Sequence, residues 1–335
     1  MSLAPLLPSI WAGLIAFAVF AYVVLDGFDL GIGILFPLYP PGRSRDILMN
    51  SVAPVWDGNE TWLVLGGGGL FAAFPLAYAI LMPAMYAPVI AMLLSLVFRG
   101  TAFEYRWRTV RGRWAWDLAF SAGSTMAAFC QGIVLGALLQ GVTVVGRAYA
   151  GGWWDWLTPF SLLTGASVVA GYALLGATWL VMKTETDIQQ RAFRLSWRFA
   201  AATLLAIVAV SLATPFLDNQ YWRRWLTFPS ILATAQVPTM VSLTAAALVW
   251  SLLRQKEYLP FLLVLLLYAL CFMGLGISLY PDILPGKLTI ADAAAPANSQ
   301  EFMLFGAGLL IPLILAYTAY GYWVFRGKVK EAGYH

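Results

Sequence analysis

SIWAGLIAFAVFAYVVLDGFDLGIGILF, residues 9–36, decides the fold class. It is longer than the roughly 20 apolar residues that cross a bilayer as a helix, yet it carries Asp26 and Asp29 near its far end. It is also too long for a signal-peptide core, and no basic region precedes it. Similar apolar runs lie near 53–75, 77–99, 115–140, 157–182, 198–217, 228–252, 258–280 and 302–325, which makes about nine spans. The 335 residues are 61% hydrophobic and 11% charged, whereas soluble domains carry roughly a quarter charged residues. That composition excludes a pair of soluble domains. The expectation is an all-α integral membrane protein, a single transmembrane domain over residues 1–335.

Basic residues set the expected orientation. Nine spans put Arg147, Arg223, Arg224 and Lys287 on the side of the N-terminus. The other side takes Arg43, Arg45, Arg106, Arg108, Arg111, Arg113, Lys183, Arg191, Arg194, Arg198, Arg254, Lys256, Arg326, Lys328 and Lys330. Fifteen against four is a strong positive-inside bias, so the N-terminus is expected outside and the C-terminus in the cytoplasm. The net charge of +4 then reflects topology and attraction to anionic lipid, and asks for no nucleic-acid partner. Lys183–Arg198 reads as a basic cytoplasmic loop in contact with the lipid surface.

The chain is poor in residues that hold redox centres. Its single histidine is His335, the last residue, and Cys130 and Cys271 lie inside apolar runs as packing residues. A disulfide framework and a Cys/His zinc site are therefore not expected, and a haem bound wholly within this chain would lack the usual histidine. Met82, Met85 and Met92 read as core. No phosphate loop or dinucleotide fingerprint is present.

The remaining charges sit within the spans, where each costs several kcal/mol unless paired or hydrated. Asp26 and Asp29 share one face of the first span, and Asp57 and Glu60 repeat that spacing on the second. Arg99 closes the third span and Glu104 follows it. Antiparallel succession gathers all six in the cytoplasmic half. Two readings stay open on these residues alone: an ion-paired lock for the first helices, or a half-channel carrying protons inward from the cytoplasm. A cation site of a secondary transporter is a third, since Gly58 and Gly66–Gly69 could break a helix. Close helix packing is the plainer use of those glycines.

At APVWDGNETWLVLGGGGLFAAFPLAYA, residues 53–79, the sequence resembles subunit II of the cytochrome bd-type quinol oxidases, including the cyanide-insensitive branch. LDGFDLGIG (25–33), FRGTAFEYR (98–106), GATWLVMKTE (176–185), YPDILPGKLTIADAA (280–294) and LAYTAYGYWVFRGKV (315–329) extend the resemblance over essentially the whole chain. It implies two four-helix bundles, about 9–140 and 157–280, and one peripheral helix at about 302–325. It implies a haem-free subunit of a terminal respiratory oxidase that reduces dioxygen to water in the bacterial inner membrane. Haem b, haem d and the quinol-oxidising loop are then expected in a partner, subunit I. Lipid, a small single-helix subunit and a bound quinone are further partners the resemblance allows. By similarity, Asp57 beside Trp56 matches a position proposed to lie on a proton pathway, with Glu60, Asp26, Asp29 and Glu104 as neighbours and Arg99 as their electrostatic partner. Trp62, Gly66 and Gly67 are candidates for an apolar oxygen route. A stand-alone proton- or cation-coupled transporter using the same carboxylates is the alternative.

Overall fold

The computed structural model describes residues 4–329, so His335 and Lys330 lie outside the described residues. The chain is a succession of helices: α1 (Leu7–Leu35), α2 (Arg43–Asn50), α3 (Trp56–Ala73), α4 (Pro75–Ala84), α5 (Tyr86–Arg108), α6 (Arg113–Gln140) and α7 (Pro159–Lys183). There follow α8 (Thr186–Ala213), α9 (Asn219–Leu226), α10 (Ser230–Thr234), α11 (Gln236–Leu253), α12 (Leu259–Leu279), α13 (Ile290–Ala293) and α14 (Ala297–Val324). Two short antiparallel hairpins, β1 (Val144–Val145) with β2 (Ala148–Tyr149) and β3 (Asp282–Leu284) with β4 (Leu288–Thr289), fill loops at the end opposite α2. Among the described residues, eight helices are long and apolar enough to cross a membrane, and nine when the bent pair α3–α4 counts as one span.

The end of α4 at Ala84 corrects the expected third span. Residues 77–99 are not one helix: α3 stops at Phe74, and α4 leaves it at 119° before α5 begins at Tyr86. Pro75 accounts for the bend between α3 and α4, because a residue before proline is pushed out of the α region, and Phe74 has φ −132° and ψ 61°. The break inside 77–99 falls at Met85, between α4 and α5. Arg99 consequently lies well inside α5 rather than at its end. The basic loop expected at Lys183–Arg198 is also helix. α7 runs to Lys183, and α8 restarts at Thr186 after a two-residue turn. The helix break that Gly58 and Gly66–Gly69 could have supplied is absent, since α3 is continuous through them.

α1 is the central element, packed against α3, α6 and α7. α5 lies along α6, α6 along α7, α7 along α8 and α12, and α11 along α12. The α1–α7 contact is close because Gly31 and Gly176 face each other: a Cβ on either would collide with the other helix's backbone. α14 is peripheral and is fixed mainly at its ends. Trp11 Nε1 donates to Gln300 O at 3.1 Å, and at the other end Lys183 Nζ donates to Phe325 O at 2.7 Å. Alternation of direction brings the end of α1, the start of α3, the end of α5 and the start of α6 to one end of the molecule, the basic end.

Candidate functional site

Near that basic end, α1, α3 and α5 bury an ionic cluster. Asp26 and Asp29 project from one face of α1, and Arg99 projects from α5; all three side chains are fully buried. Arg99 Nη2 stands 2.6 Å from Asp26 Oδ1 and 3.7 Å from Asp29 Oδ2, and Nη1 is 3.8 Å from Glu60 Oε2. Trp56 and Phe103 stack on each other at 4.7 Å and lie beside the guanidinium, 5.4 and 5.5 Å from its carbon. Their π-faces add attraction for the guanidinium's positive charge.

The cluster is under-bonded. Asp26 Oδ2, Asp29 Oδ1, Arg99 Nε and Arg99 Nη1 are buried and make no hydrogen bond among the described residues. Buried polar atoms normally have partners, so these are the valences through which the cluster can connect to water or to another chain. Two polar branches leave it. Asn59 Nδ2 donates to Asp29 Oδ2 at 2.8 Å, and Asn59 Oδ1 accepts from the Tyr322 hydroxyl of α14 at 2.9 Å. On the other side, the Tyr172 hydroxyl donates to Gln131 Oε1 at 2.6 Å and Gln131 Nε2 donates to the Tyr22 oxygen at 2.8 Å, one turn before Asp26.

The structure thus brings together Asp26, Asp29, Arg99 and, at its edge, Glu60, whose side chain is 26% exposed. It does not bring Glu104 to them. Glu104 points outward and faces Arg108 at 3.6 Å on its own helix, because five residues beyond Arg99 an α-helix has turned to another side. Asp57 is exposed in the first turn of α3, in line with exposed Thr61, Val64, Gly68 and Phe71. Trp62 is buried against Phe17, and Gly66 faces Val19 of α1, while Gly67 is on the exposed side.

A second ionic group lies closer to the basic rim. Asp46 Oδ1 accepts from Arg106 Nη1 at 2.8 Å and Arg113 Nη2 at 2.6 Å. Asp117 accepts from Arg106 Nε at 2.5 Å and Arg45 Nη1 at 2.7 Å. It ties α2 to α5 and α6.

The comparisons with known proteins identify the family. Residues 7–325 match the family described as cytochrome bd terminal oxidase subunit II. The chain belongs to that family. It is 30% identical to the cytochrome bd-I ubiquinol oxidase subunit 2 of Escherichia coli (strain K12), over 96% of this chain and 95% of the relative. It is 27% identical to the cytochrome bd ubiquinol oxidase subunit 2 of Bacillus subtilis (strain 168), over 97% of each. A chain from the structure of bd oxidase from Geobacillus thermodenitrificans shares the fold, with a TM-score of 0.75 at 21% identity over 96% of this chain and 99% of that one. As a subunit II the chain is part of a haem-containing oxidoreductase complex and implies a subunit I beside it. The transporter alternative finds no support: the family is that of an oxidase subunit, and α3 runs unbroken through Gly58 and Gly66–Gly69.

No group of three or more His, Cys, Asp or Glu among the described residues could hold a metal ion, and Met85 and Met92 are core. Sequence reasoning missed Asn59, Tyr322, Asp46 and Asp117. Asn59 was visible as a polar residue on the face of α3 between two acids. Tyr322 gave no local signal, since it reaches Asn59 from the last helix.

Proposed function

We propose that the Asp26–Asp29–Arg99–Glu60 cluster conducts protons from the cytoplasm toward the partner, where dioxygen is reduced to water. The observation that carries this reading is the imbalance at the cluster: one buried guanidinium serves two buried carboxyls and a third at the edge. One cation balances one carboxylate, so the second carboxyl can take up a proton without adding buried charge. Each electron delivered to dioxygen in a low-dielectric site calls for such a compensating proton. Glu60 and exposed Asp57 would continue the route along α3 toward the neighbour, with Glu104 outside it.

Subunit I would dock on the exposed stripe of α3. That stripe offers Asp57 and Thr61 at one end and Gly67 and Gly68 further along, and small residues allow a partner helix to approach closely. Haem b and haem d would reside in subunit I and supply the electron transfer and oxygen binding. Ubiquinol, the substrate in the names of the relatives, is the electron donor in this reading. A quinone bound to this chain, a small single-helix subunit and surrounding lipid complete the partners. Trp62 and Gly66 would line an oxygen route between α1 and α3, with Gly67 on its outer side. The chain would sit in the bacterial inner membrane as two four-helix bundles and a peripheral helix, with the N-terminus outside and the basic end in the cytoplasm.

The test uses the intact complex. Purification through this chain is expected to bring down a haem-bearing partner, visible in a reduced-minus-oxidised spectrum. Asp57→Asn is expected to lower oxygen consumption while the haem spectrum is unchanged. Unchanged turnover in a normally assembled complex would assign Asp57 a structural role only.

A further inference from the structure

The outer face of α8 carries charges that the proton reading leaves unused. Arg191, Arg194 and Arg198 follow at spacings of three and four, so they share one side of the helix. Ion pairs at the basic end involve Arg45, Arg106, Arg108, Arg113 and Lys328. Among the described residues, Arg191, Arg194 and Arg198 take part in none. Arg191 is held in place by an aromatic face, its guanidinium carbon lying 5.4 Å from the ring centre of buried Tyr39. Burial pushes the Tyr39 hydroxyl up from its ordinary range while the charges of Arg191 and Arg194 pull it down. The acids at the start of α8 are Glu185 and Asp187, both exposed, and Asp187 is already engaged by the Thr186 hydroxyl.

The same side of α8 changes character along its length. After exposed Trp197 and Arg198 come Leu205, Val208 and Leu212, which are 72%, 54% and 67% exposed. A tryptophan at the boundary between cations and a bare apolar stripe marks the headgroup layer. The inner side of α8 packs on α7, with some contact to α11, and α8 does not join the cluster formed by α1, α3 and α5, so the rest of the chain leaves this stripe uncovered.

We propose that this stripe binds an anionic phospholipid of the leaflet at the basic end. Its phosphate would sit among Arg191, Arg194 and Arg198, and an acyl chain would lie along Leu205, Val208 and Leu212. Cations followed by an apolar track at acyl-chain spacing select a lipid over free phosphate, which has nothing to place on the track. Arginine suits the phosphate because its planar fork can donate two parallel hydrogen bonds.

The experiment reconstitutes the intact complex in vesicles of equal parts phosphatidylglycerol and phosphatidylcholine. The complex is then re-extracted in mild detergent and retained lipid is counted by native mass spectrometry. Wild-type complex is expected to keep phosphatidylglycerol in preference to phosphatidylcholine, also in excess inorganic phosphate. The Arg191→Gln, Arg194→Gln, Arg198→Gln triple variant is expected to lose that preference by on the order of tenfold or more. The triple lysine variant should keep most of it, and Arg147→Gln, at the other end, should keep it all. Arg194→Gln alone, at an exposed position, should show a partial loss and covers the case in which the triple variant fails to assemble. Equal retention of both lipids, an unchanged triple glutamine variant, displacement by inorganic phosphate, or an acidic protein occupying the stripe would each overturn the proposal.

Discussion

The two ionic groups near the basic end are built from the same parts and differ in balance. Each has a buried arginine beside aromatic rings: Arg99 with Trp56 and Phe103, Arg106 with Phe36 and Trp107. At the rim, three arginines serve Asp46 and Asp117, and each carboxylate accepts from two of them. In the inner cluster one arginine serves Asp26, Asp29 and Glu60, and both aspartates keep an unbonded oxygen. A surplus of cations fixes carboxylates in place. A surplus of carboxyls leaves room for a proton.

The sharpest way to break this contrast is to remove each central arginine. Arg99→Gln leaves two fully buried acids without a cation, and a cost of about 3–5 kcal/mol is expected, seen as loss of assembled complex and a lower unfolding midpoint. Arg106→Gln is expected to cost roughly 1–2 kcal/mol, because Asp46 keeps Arg113, Asp117 keeps Arg45, and Asp46 is 29% exposed. Equal losses would show that the two groups are alike. A smaller effect is expected for Tyr322→Phe, which removes the hydroxyl on Asn59 but keeps the ring against Phe28 and Trp179. About 1 kcal/mol of stability should go, read as a shift in the unfolding midpoint.

The smallest expected effect is a surface control with a pH signature. The Lys328 ammonium at 2.8 Å, followed by Gln189, holds the Glu257 carboxyl below the usual carboxylate range. A carboxyl lowered on folding contributes stability that is present above its unfolded pKa of about 4.3 and lost as pH falls through the lower folded value. Because Glu257 is 43% exposed, Glu257→Gln should cost no more than a few tenths of a kcal/mol at pH 7. The difference from wild type should vanish in unfolding curves taken at more acid pH.

Much of this could be read in advance, for physical reasons that also explain the misses. Hydropathy reveals spans because a bilayer tolerates no unpaired backbone, so the long helices lie at the expected places, except that the third run, 77–99, is divided at Met85 between α4 and α5. Spacing along one helix placed Asp26 with Asp29, and antiparallel succession placed Arg99 near them. Helical rotation, by contrast, has to be known to within a residue, and Glu104 is turned away for that reason. Asp46 and Asp117 were not singled out: Asp46 lies between two expected spans and Asp117 near the start of the fourth, and only the fold brings three arginines to them. Tyr322 meets Asn59 across most of the chain, a contact that only the folded structure supplies.

The most direct test compares Asp29→Asn with Asp117→Asn in assembled complex with full haem content, measuring oxygen consumption driven by quinol. The account predicts at least a roughly tenfold loss of turnover for Asp29→Asn, of the size that follows from losing a positioned proton-transfer group, and near-normal turnover for Asp117→Asn. Full turnover in Asp29→Asn, or an equal loss in both, would contradict it.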